Sequence, residues 1–217
     1  MKVTMFCQTT IDGKLSLGRG ISSKEILSLL DEEDKRYIHS FRGKVDGIMV
    51  GKSTLQIDNP YLTNRYEKDN NPVRIIPTNS LEISSNYNVF SDTAKTIFVT
   101  PNKNKKRKIN QKIGSCEIFY CGNEEIDFNE LFYKLESDYG VGSIMLEGGG
   151  ELNWSLLDAG LVNEVILMQL PILVGGRDNV TLVDGVGYRE LTLAKRCTLK
   201  KHEQHKNYLL LKYLVNN

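Results

Sequence analysis

The residues whose types and spacing are best suited to chemistry are a carboxylate and three glycines, Glu147-Gly148-Gly149-Gly150. The apolar run from Ile144 to Leu146 predicts a buried strand before them, and Trp154 with the leucines after it predicts a helix. A strand that turns through glycines into a helix directs unpaired N–H groups and the positive end of the helix dipole at one point. That point suits a phosphate or diphosphate. Glu147 would repel an anion, so it suits a polar, uncharged part of a second ligand.

Two familiar phosphate-binding motifs are nearly, but not fully, matched. Gly47 precedes the Gly51-Lys52 pair by one residue too few for a P-loop, which argues against a kinase or NTPase. Asn153 stands where a dinucleotide fingerprint has its third glycine, which argues against a standard Rossmann site. The glycines therefore leave two interpretations, an ordinary strand–helix turn and a differently built nucleotide site. Gly51 and Thr54 follow an apolar strand, at the sheet edge where ligands bind in open α/β sheets.

A third group of residues offers donors for an anion. Arg65 follows the turn at Asp58-Asn59-Pro60, and Arg42 closes a predicted helix. A guanidinium binds phosphate through two parallel hydrogen bonds. Each residue also has an ordinary explanation, because Asp-Asn-Pro is common in turns and cations are common on surfaces and at helix C-termini.

The remaining polar candidates have less distinctive spacing. The basic run from Lys103 to Lys108 predicts a solvated loop, with the 2′-phosphate of NADP as its possible ligand. His39, His202 and His205 are predicted to be solvated, the last two in a hairpin turn. No Ser/His/Asp or Cys/His triad is visible by spacing.

Composition excludes several classes of protein. The chain has 217 residues, 40% of them hydrophobic, and a formal net charge of +1, which gives no support for binding nucleic acid or an acidic membrane. No apolar run approaches the roughly 20 residues of a membrane span, and the first residues read as a strand rather than a signal peptide. The four cysteines lack zinc-site spacing, so we expect no metal and reduced thiols in a cytoplasmic protein.

The elements that must position these residues alternate between strands and helices. A capping box from Ser22 to Glu25 predicts a helix extending through Ile38, Asp127 introduces another, and residues 79–94 are predicted to form a surface loop. A C-terminal hairpin is predicted from Glu190–Lys200 and Tyr208–Val215. The other predicted strands are Val3–Gln8, Val45–Val50, Val73–Ile76, Thr96–Val99, Cys116–Tyr120, Ile144–Leu146 and Glu164–Leu170. The pattern predicts one α/β domain over residues 1–217, with a mainly parallel sheet and antiparallel strands at one edge.

Taken together, these blocks resemble the pyrimidine reductase family of riboflavin biosynthesis, which also forms the C-terminal half of the bacterial bifunctional deaminase–reductase. The matching blocks follow the family order from residue 9 to about residue 188. They are Thr10 to Lys14, Val45 to Gly51, Asp58 to Pro60 with Leu62 and Thr63, Asn71 to Ile75, Leu146 to Gly150 with Asn153 and Trp154, Gly160 to Val165, and Val183 to Gly187.

The resemblance implies a dihydrofolate-reductase-like three-layer sandwich, NADPH as hydride donor and a homodimer. It implies cofactor contacts at Ile21, Ser22, Thr54, Asp58, Asn79, Gly149, Gly150, Glu151, Leu152 and Asn153. It implies contacts to a phosphorylated pyrimidine at Arg42, Leu62, Arg65 and Glu147. Asp58 and Glu147 are the candidate catalytic residues, which would orient the reactants and stabilise developing charge.

One departure from the family pattern concerns the cofactor. The sequence Ile76-Pro77-Thr78-Asn79 places Asn79 where the family has a serine that contacts NADPH, so NADH stays open as an alternative donor. The family reaction opens a ribosylamino group to an imine, and hydride transfer to C1′ of the sugar gives a ribitylamino chain. The pyrimidine is either the diamino form or its deaminated counterpart. Two other functions remain, a dihydrofolate or pterin reductase and a non-catalytic nucleotide-binding dimer.

Overall fold

The computed structural model describes residues 1–66, 71–106 and 116–216. The strands are β1 (Lys2–Thr10), β2 (Gly47–Val50), β3 (Val73–Pro77), β4 (Thr96–Thr100), β5 (Cys116–Tyr120), β6 (Ser143–Gly148), β7 (Glu164–Leu170), β8 (Arg196–His205) and β9 (Tyr208–Asn216). The α-helices are α1 (Lys24–Leu27), α2 (Glu32–Arg42), α3 (Lys52–Asp58), α4 (Phe128–Tyr139) and α5 (Gly150–Asp158). Two short 3₁₀ turns lie at Asn88–Phe90 and Asn102–Asn104.

The strand order is β5-β4-β3-β2-β6-β1-β7-β9-β8 in a mixed sheet of nine strands. The β2–β3, β3–β4, β4–β5 and β1–β7 pairs are parallel, and the β7–β9 and β8–β9 pairs are antiparallel. This confirms the predicted fold class, a mainly parallel sheet with an antiparallel C-terminal hairpin. The chain divides into two compact units, which are described in turn: Met1 with Glu33–Met145, and Lys2–Glu32 with Leu146–Asn217.

The first unit is built on the parallel strands β2 to β5. Its core contains buried side chains from β2, α3, β3 and β4 and from two loop positions: Ile48, Val50, Leu55, Leu62, Ile76, Val89 and Phe98. Pro77 ends β3 without disturbing the sheet, because β2 pairs with β3 only from Val73 to Ile75. On the other side, the N–H of Thr78, directly after β3, donates to the carbonyl of Val99 in β4 at 2.8 Å. Pro77 has no N–H to donate, but it lies beyond the part of β3 that pairs with β2, so that pairing is unaffected.

Residues 79–94, predicted as a polar surface loop, are held to the first unit by a buried side chain beneath them. Arg74 of β3 is fully buried, and its guanidinium pairs with Asp92 at 2.6 Å. Nη1 of Arg74 also donates to the carbonyl oxygens of Val89 at 2.9 Å and Ala94 at 3.3 Å. Val89 itself is a core residue, so this loop contributes to the hydrophobic core.

The second unit pairs β1 with β7 in register from Thr4 opposite Glu164 to Thr10 opposite Leu170. Strand β9 extends this sheet on the other side of β7, and β8 follows at the edge. Asp12, in the loop after β1, accepts hydrogen bonds from the Thr10 hydroxyl at 2.6 Å and the Gly175 N–H at 2.7 Å. These bonds lower the pKa of Asp12 to about 2.

Three local predictions are wrong. The helix expected from Ser22 through Ile38 is two helices, because the Ser28 hydroxyl donates to the Glu25 carbonyl at 2.6 Å and helical structure resumes only at Glu32. Ser23 directly precedes α1 without a side-chain cap, and the Ser22 hydroxyl accepts a hydrogen bond from the N–H of Lys24 at 3.2 Å. Strand β8 begins at Arg196 and extends to His205, so His202 and His205 lie in the strand rather than in the turn. The hairpin turns at Lys206, which has a φ of 50°.

Candidate functional site

The glycine turn joins β6 to α5, as the sequence predicts. Gly149 precedes the first residue of α5 and has no side chain with which to cap the helix. The Gly148–Gly149 peptide bond is cis. The first N–H groups of a helix have no partner within it, and such groups commonly bind anions.

Two of the glycines are required by their surroundings. Gly148 has a φ of 80°, and a Cβ there would lie 2.9 Å from the side-chain amide of Asn153. A Cβ on Gly150 would lie 2.5 Å from a carboxylate oxygen of Asp184 and 2.7 Å from the carbonyl oxygen of Thr181. A side chain at Gly148 or Gly150 would therefore collide with Asn153, Thr181 or Asp184, which surround the turn.

The support comes from a second turn, Thr181 to Asp184. Asp184 accepts hydrogen bonds from the N–H of Thr181 at 3.1 Å and from its hydroxyl at 2.6 Å. The N–H of Asp184 donates to the carbonyl of Gly150 at 3.1 Å. Sequence reasoning assigned no role to Asp184, although Val183-Asp184-Gly185 belongs to a block that carries the family resemblance. A turn-forming Asp-Gly pair of this kind was the available signal.

The residues predicted to hold the cofactor in this unit differ in accessibility. Glu151 and Ile21 are exposed, Ser22 and Gly149 are partly exposed, and Gly150, Leu152 and Asn153 are buried. The Asn153 amide donates to the carbonyl of Leu182 at 2.8 Å, so its side chain holds the two turns together. The start of α5 at Gly149 and Gly150, which carry no side chains, fits a diphosphate, and Glu151 follows in the first turn. The side chains of Leu152 and Asn153 fit a supporting position beneath it.

Glu147 is partly exposed near the end of β6. Burial is the main cause that raises the pKa of the Cys7 thiol to about 12, and the negative charge of Glu147 adds to it. A thiol with so high a pKa is not ionised at neutral pH and is a poor nucleophile. The Cys7 thiol is therefore not a candidate for nucleophilic catalysis.

In the first unit, the carboxyl ends of β2, β3 and β4 carry linked polar loops. Lys52, at the start of α3, donates to the hydroxyl of Ser80 at 2.6 Å. The buried Asn104 amide donates to the carbonyl of Asn79 at 3.0 Å and to the Thr100 hydroxyl at 2.7 Å. These bonds fix the backbone of Asn79, and its side chain is exposed. Thr54, in the first turn of α3, is partly exposed. Of the basic run, Arg107 and Lys108 lie outside the described residues.

Two predicted site residues, one at the end of α3 and one just after it, are buried. Asp58, the last residue of α3, is buried. The following Asn59 is left-handed, with a φ of 42°, and its side chain accepts a hydrogen bond from the N–H of Asn88 at 2.7 Å. Leu62, predicted as a substrate contact, has its side chain in the hydrophobic core, so only its backbone is left for a ligand.

The structure brings Arg42 and Arg65 to the same short segment. Nη1 of Arg42 donates to the carbonyl of Thr63 at 3.3 Å. The Arg65 guanidinium is exposed and lies 5.6 Å from the centre of the Tyr61 ring. His39 is buried, not solvated as predicted, and its Nδ1 accepts from the N–H of Arg65 at 3.1 Å. The sequence signal that could have indicated this contact is the position of His39, one helical turn before Arg42.

Two classes of site find no support among the residues described. None of the helices in those ranges has the length and apolar character needed to span a bilayer. Within the same part of the chain, no group of three or more His, Cys, Asp and Glu side chains is placed to hold a metal ion.

Comparison with known proteins identifies relatives that match nearly the whole chain. The chain is 40% identical to the 2,5-diamino-6-ribosylamino-4(3H)-pyrimidinone 5′-phosphate reductase of Aquifex aeolicus, covering 99% of this chain and 96% of that protein. It is 34% identical to the reductase of the same name from Methanothermobacter thermautotrophicus, covering 95% and 94%.

Solved structures share the fold. RibD of Acinetobacter baumannii matches with a TM-score of 0.80 at 17% identity, over 99% of this chain and 58% of that one. The riboflavin biosynthesis reductase of Saccharomyces cerevisiae matches with a TM-score of 0.71 at 21% identity, over 99% of this chain and 90% of that one. The family model described as the RibD C-terminal domain matches residues 1–211. The chain therefore belongs to the RibD C-terminal domain family.

Proposed function

We propose that this protein is a reductase of riboflavin biosynthesis that reduces the ribosylamino side chain of a phosphorylated pyrimidine to the ribitylamino form. The observation that carries the proposal is the placement of Arg42 and Arg65 at one short segment, with the Arg65 guanidinium exposed. Two guanidinium groups suit a sugar phosphate. The names of the relatives from Aquifex aeolicus and Methanothermobacter thermautotrophicus support the same substrate.

A reductase of this family requires a nucleotide cofactor, and we propose NADPH. When bound, the reduced nicotinamide supplies a hydride to C1′ of the sugar. The N–H groups at the start of α5 hold the diphosphate. In the first unit, Thr54 and the exposed Asn79 are the cofactor contacts that the resemblance implies. Because Asn79 replaces the family serine, NADH is the competing donor.

Asp58 and Glu147 are the proposed catalytic residues. Neither is needed as a nucleophile, since the cofactor carries out the difficult step. Their carboxylates orient polar groups of the reactants and stabilise the positive charge of the imine that accepts the hydride. Glu147→Gln and Asp58→Asn keep the size of each side chain and remove its charge. We expect both to lower kcat, and unchanged turnover in either variant would remove that residue from catalysis.

We also propose a homodimer, as the resemblance implies, and a cytoplasmic location, as reduced thiols indicate. The two most exposed large apolar side chains of the described residues, Val186 and Leu191, lie in the second unit. Exposed apolar side chains are typical of surfaces that a second subunit covers. Light scattering at several concentrations measures the state directly, and a monomer throughout would contradict the dimer.

The test of the function is oxidation of NADPH or NADH with the diamino and the deaminated ribosylaminopyrimidine phosphates offered separately. We expect oxidation of NADPH with one of them and far weaker activity with the dephosphorylated compound. Activity with dihydrofolate instead would establish a pterin-type reductase. Cofactor binding without oxidation of any substrate would establish a non-catalytic nucleotide-binding protein.

A further inference from the structure

Helix α2 contacts the segment Thr63 to Tyr66 through three side chains spaced three residues apart. The Arg36 guanidinium lies 4.4 Å from the centre of the Tyr66 ring. His39 accepts the N–H of Arg65 at 3.1 Å, and Arg42 donates to the carbonyl of Thr63 at 3.3 Å. Residues at this spacing lie on one face of a helix. One face of α2 therefore holds the segment at its beginning, middle and end.

The central contact is the one made by His39. Its side chain is buried, and its ring meets the Tyr66 ring edge-on, with 5.2 Å between the centroids. Because Nδ1 accepts a hydrogen bond from a backbone N–H, the neutral ring carries its proton on Nε2. The ring is thus fixed in place and in tautomer, and it fixes the backbone of Arg65.

Among the described residues, the side chain of Arg65 is only loosely held. Its guanidinium is exposed and contacts the ring of Tyr61, which is itself exposed. A long side chain on a poorly anchored backbone would lose much conformational freedom on binding a phosphate. An anchored backbone reduces that loss before the ligand arrives.

We propose that His39 is a positioning residue for substrate binding, which holds Arg65 ready for the phosphate of the substrate through the Nδ1 hydrogen bond. The inference rests on the proposed function, because it requires a phosphorylated ligand at Arg65. His39 acts through Arg65 and takes no part in hydride transfer.

The decisive variant is His39→Leu, which fills a similar volume and removes the acceptor. Leaving a backbone donor unpaired weakens the arrangement, so we expect KM for the pyrimidine phosphate to rise by about tenfold. We expect kcat to change by less than about twofold and KM for NADPH to stay unchanged. His39→Asn places an amide oxygen near the position of Nδ1, and we expect it to restore most of the substrate affinity.

The matched control is Ser40→Ala, on the next residue of the same helix. The Ser40 hydroxyl donates to the carbonyl of Tyr37 at 2.9 Å and belongs to no contact with the segment described above. We expect wild-type kinetics from this variant. Equal losses in His39→Leu and His39→Asn, accompanied by lower kcat, would show that His39 only stabilises the fold and would overturn the proposal.

Two measurements need no turnover and separate this proposal from the proposed function. Hydrogen exchange at the Arg65 amide is expected to accelerate in His39→Leu, and ribose 5-phosphate is expected to bind about tenfold more weakly by calorimetry. If wild-type protein turns over neither pyrimidine, the proposed function fails, while these two results still support the role of His39. Unchanged exchange or unchanged ribose 5-phosphate affinity overturns it.

Discussion

The glycine turn of the second unit and the arginine segment of the first are both suited to phosphate, but they are built in opposite ways. At the glycine turn, the proposed ligand contacts are backbone N–H groups. The side-chain amide of Asn153 bonds the carbonyl of Leu182, and the N–H of Asp184 bonds the carbonyl of Gly150. At the arginine segment, the proposed ligand contacts are side chains, and His39 holds the backbone of Arg65. Backbone donors cannot be substituted, so the turn depends on the absence of side chains. The arginine segment depends on which side chains are present.

This difference predicts different responses to mutation. A glycine turn fails when any side chain is added, because the neighbouring atoms leave no space. A guanidinium site weakens gradually, because another cation keeps the charge and loses only the paired hydrogen bonds. Substitutions in the two regions should therefore affect different ligands by different amounts.

The largest expected effect is a loss of stability at Arg74, which supports the first unit, whereas Arg42 and Arg65 are proposed to bind a ligand. Arg74→Met removes a fully buried guanidinium and its pair with Asp92. We expect the free energy of unfolding to fall by about 3 kcal/mol, because Asp92 and the loop carbonyls lose their partner. Urea denaturation measures it. The control is Lys95→Met, whose pair with Glu117 is half exposed on both sides and should contribute less than about 1 kcal/mol. Equal losses would contradict the assignment.

Gly150→Ala tests the glycine turn. Its Cβ would collide with Asp184 and the carbonyl of Thr181, so the start of α5 must shift. We expect NADPH to bind roughly 30-fold more weakly, with little change in affinity for the substrate. Gly142→Ala is the matched control, since its Cβ would lie 3.6 Å from the nearest atom, a carboxylate oxygen of Asp46. Fluorescence titration with NADPH measures both, and wild-type affinity in Gly150→Ala would refute the collision.

Arg65→Lys tests the arginine segment with the charge retained. We expect KM for the phosphorylated pyrimidine to rise about tenfold, because an ammonium cannot make the paired hydrogen bonds of a guanidinium. NADPH affinity should stay unchanged, in contrast to Gly150→Ala. Arg196→Lys, at an exposed position of β8, is the control. A loss of the same size with the dephosphorylated substrate would show that Arg65 does not bind the phosphate.

The smallest expected effect is a pH dependence in the loop held by Asp12. The pKa of Asp12 is lowered to about 2 by hydrogen bonds from Thr10 and Gly175, so its carboxylate stabilises the folded state only while ionised. The stabilisation is complete above the unfolded pKa of about 4 and is lost as the pH falls toward about 2. Asp12→Asn should lower the melting temperature at pH 7, and the difference from wild type should shrink below about pH 4. A constant difference would contradict this linkage.

The sequence predicted the strands and the glycine turn better than the contacts of the segment that contains Arg65. Apolar runs such as Cys116 to Tyr120 and Glu164 to Leu170 carry a local signal, and the observed strands have the same bounds. The Asp127 cap is also local, and it accepts from the N–H groups of Asn129 and Glu130 as expected. Local spacing suffices for features of this kind.

Long-range contacts could not be read in the same way. His39 contacts a residue 26 positions away. Leu62 joins a core that includes the distant residues Val89 and Phe98. The polar composition of residues 79–94 gave no indication that Arg74 would be buried beneath them. The site residues came from a family resemblance, because spacing alone left their ordinary explanations open.

The buried guanidinium of Arg74 has a consequence for how the sequence above it can vary. Two of its partners are main-chain oxygens, at Val89 and Ala94, which nearly any residue can supply. Only Asp92 contributes a charged side chain, and Val89 also fills the core. Phe90 packs against the core beside Phe98, so it must be kept as well. A library randomised at Ser91, Thr93 and Ala94 should retain folded members at high frequency. One arginine thus makes the surface above it open to redesign.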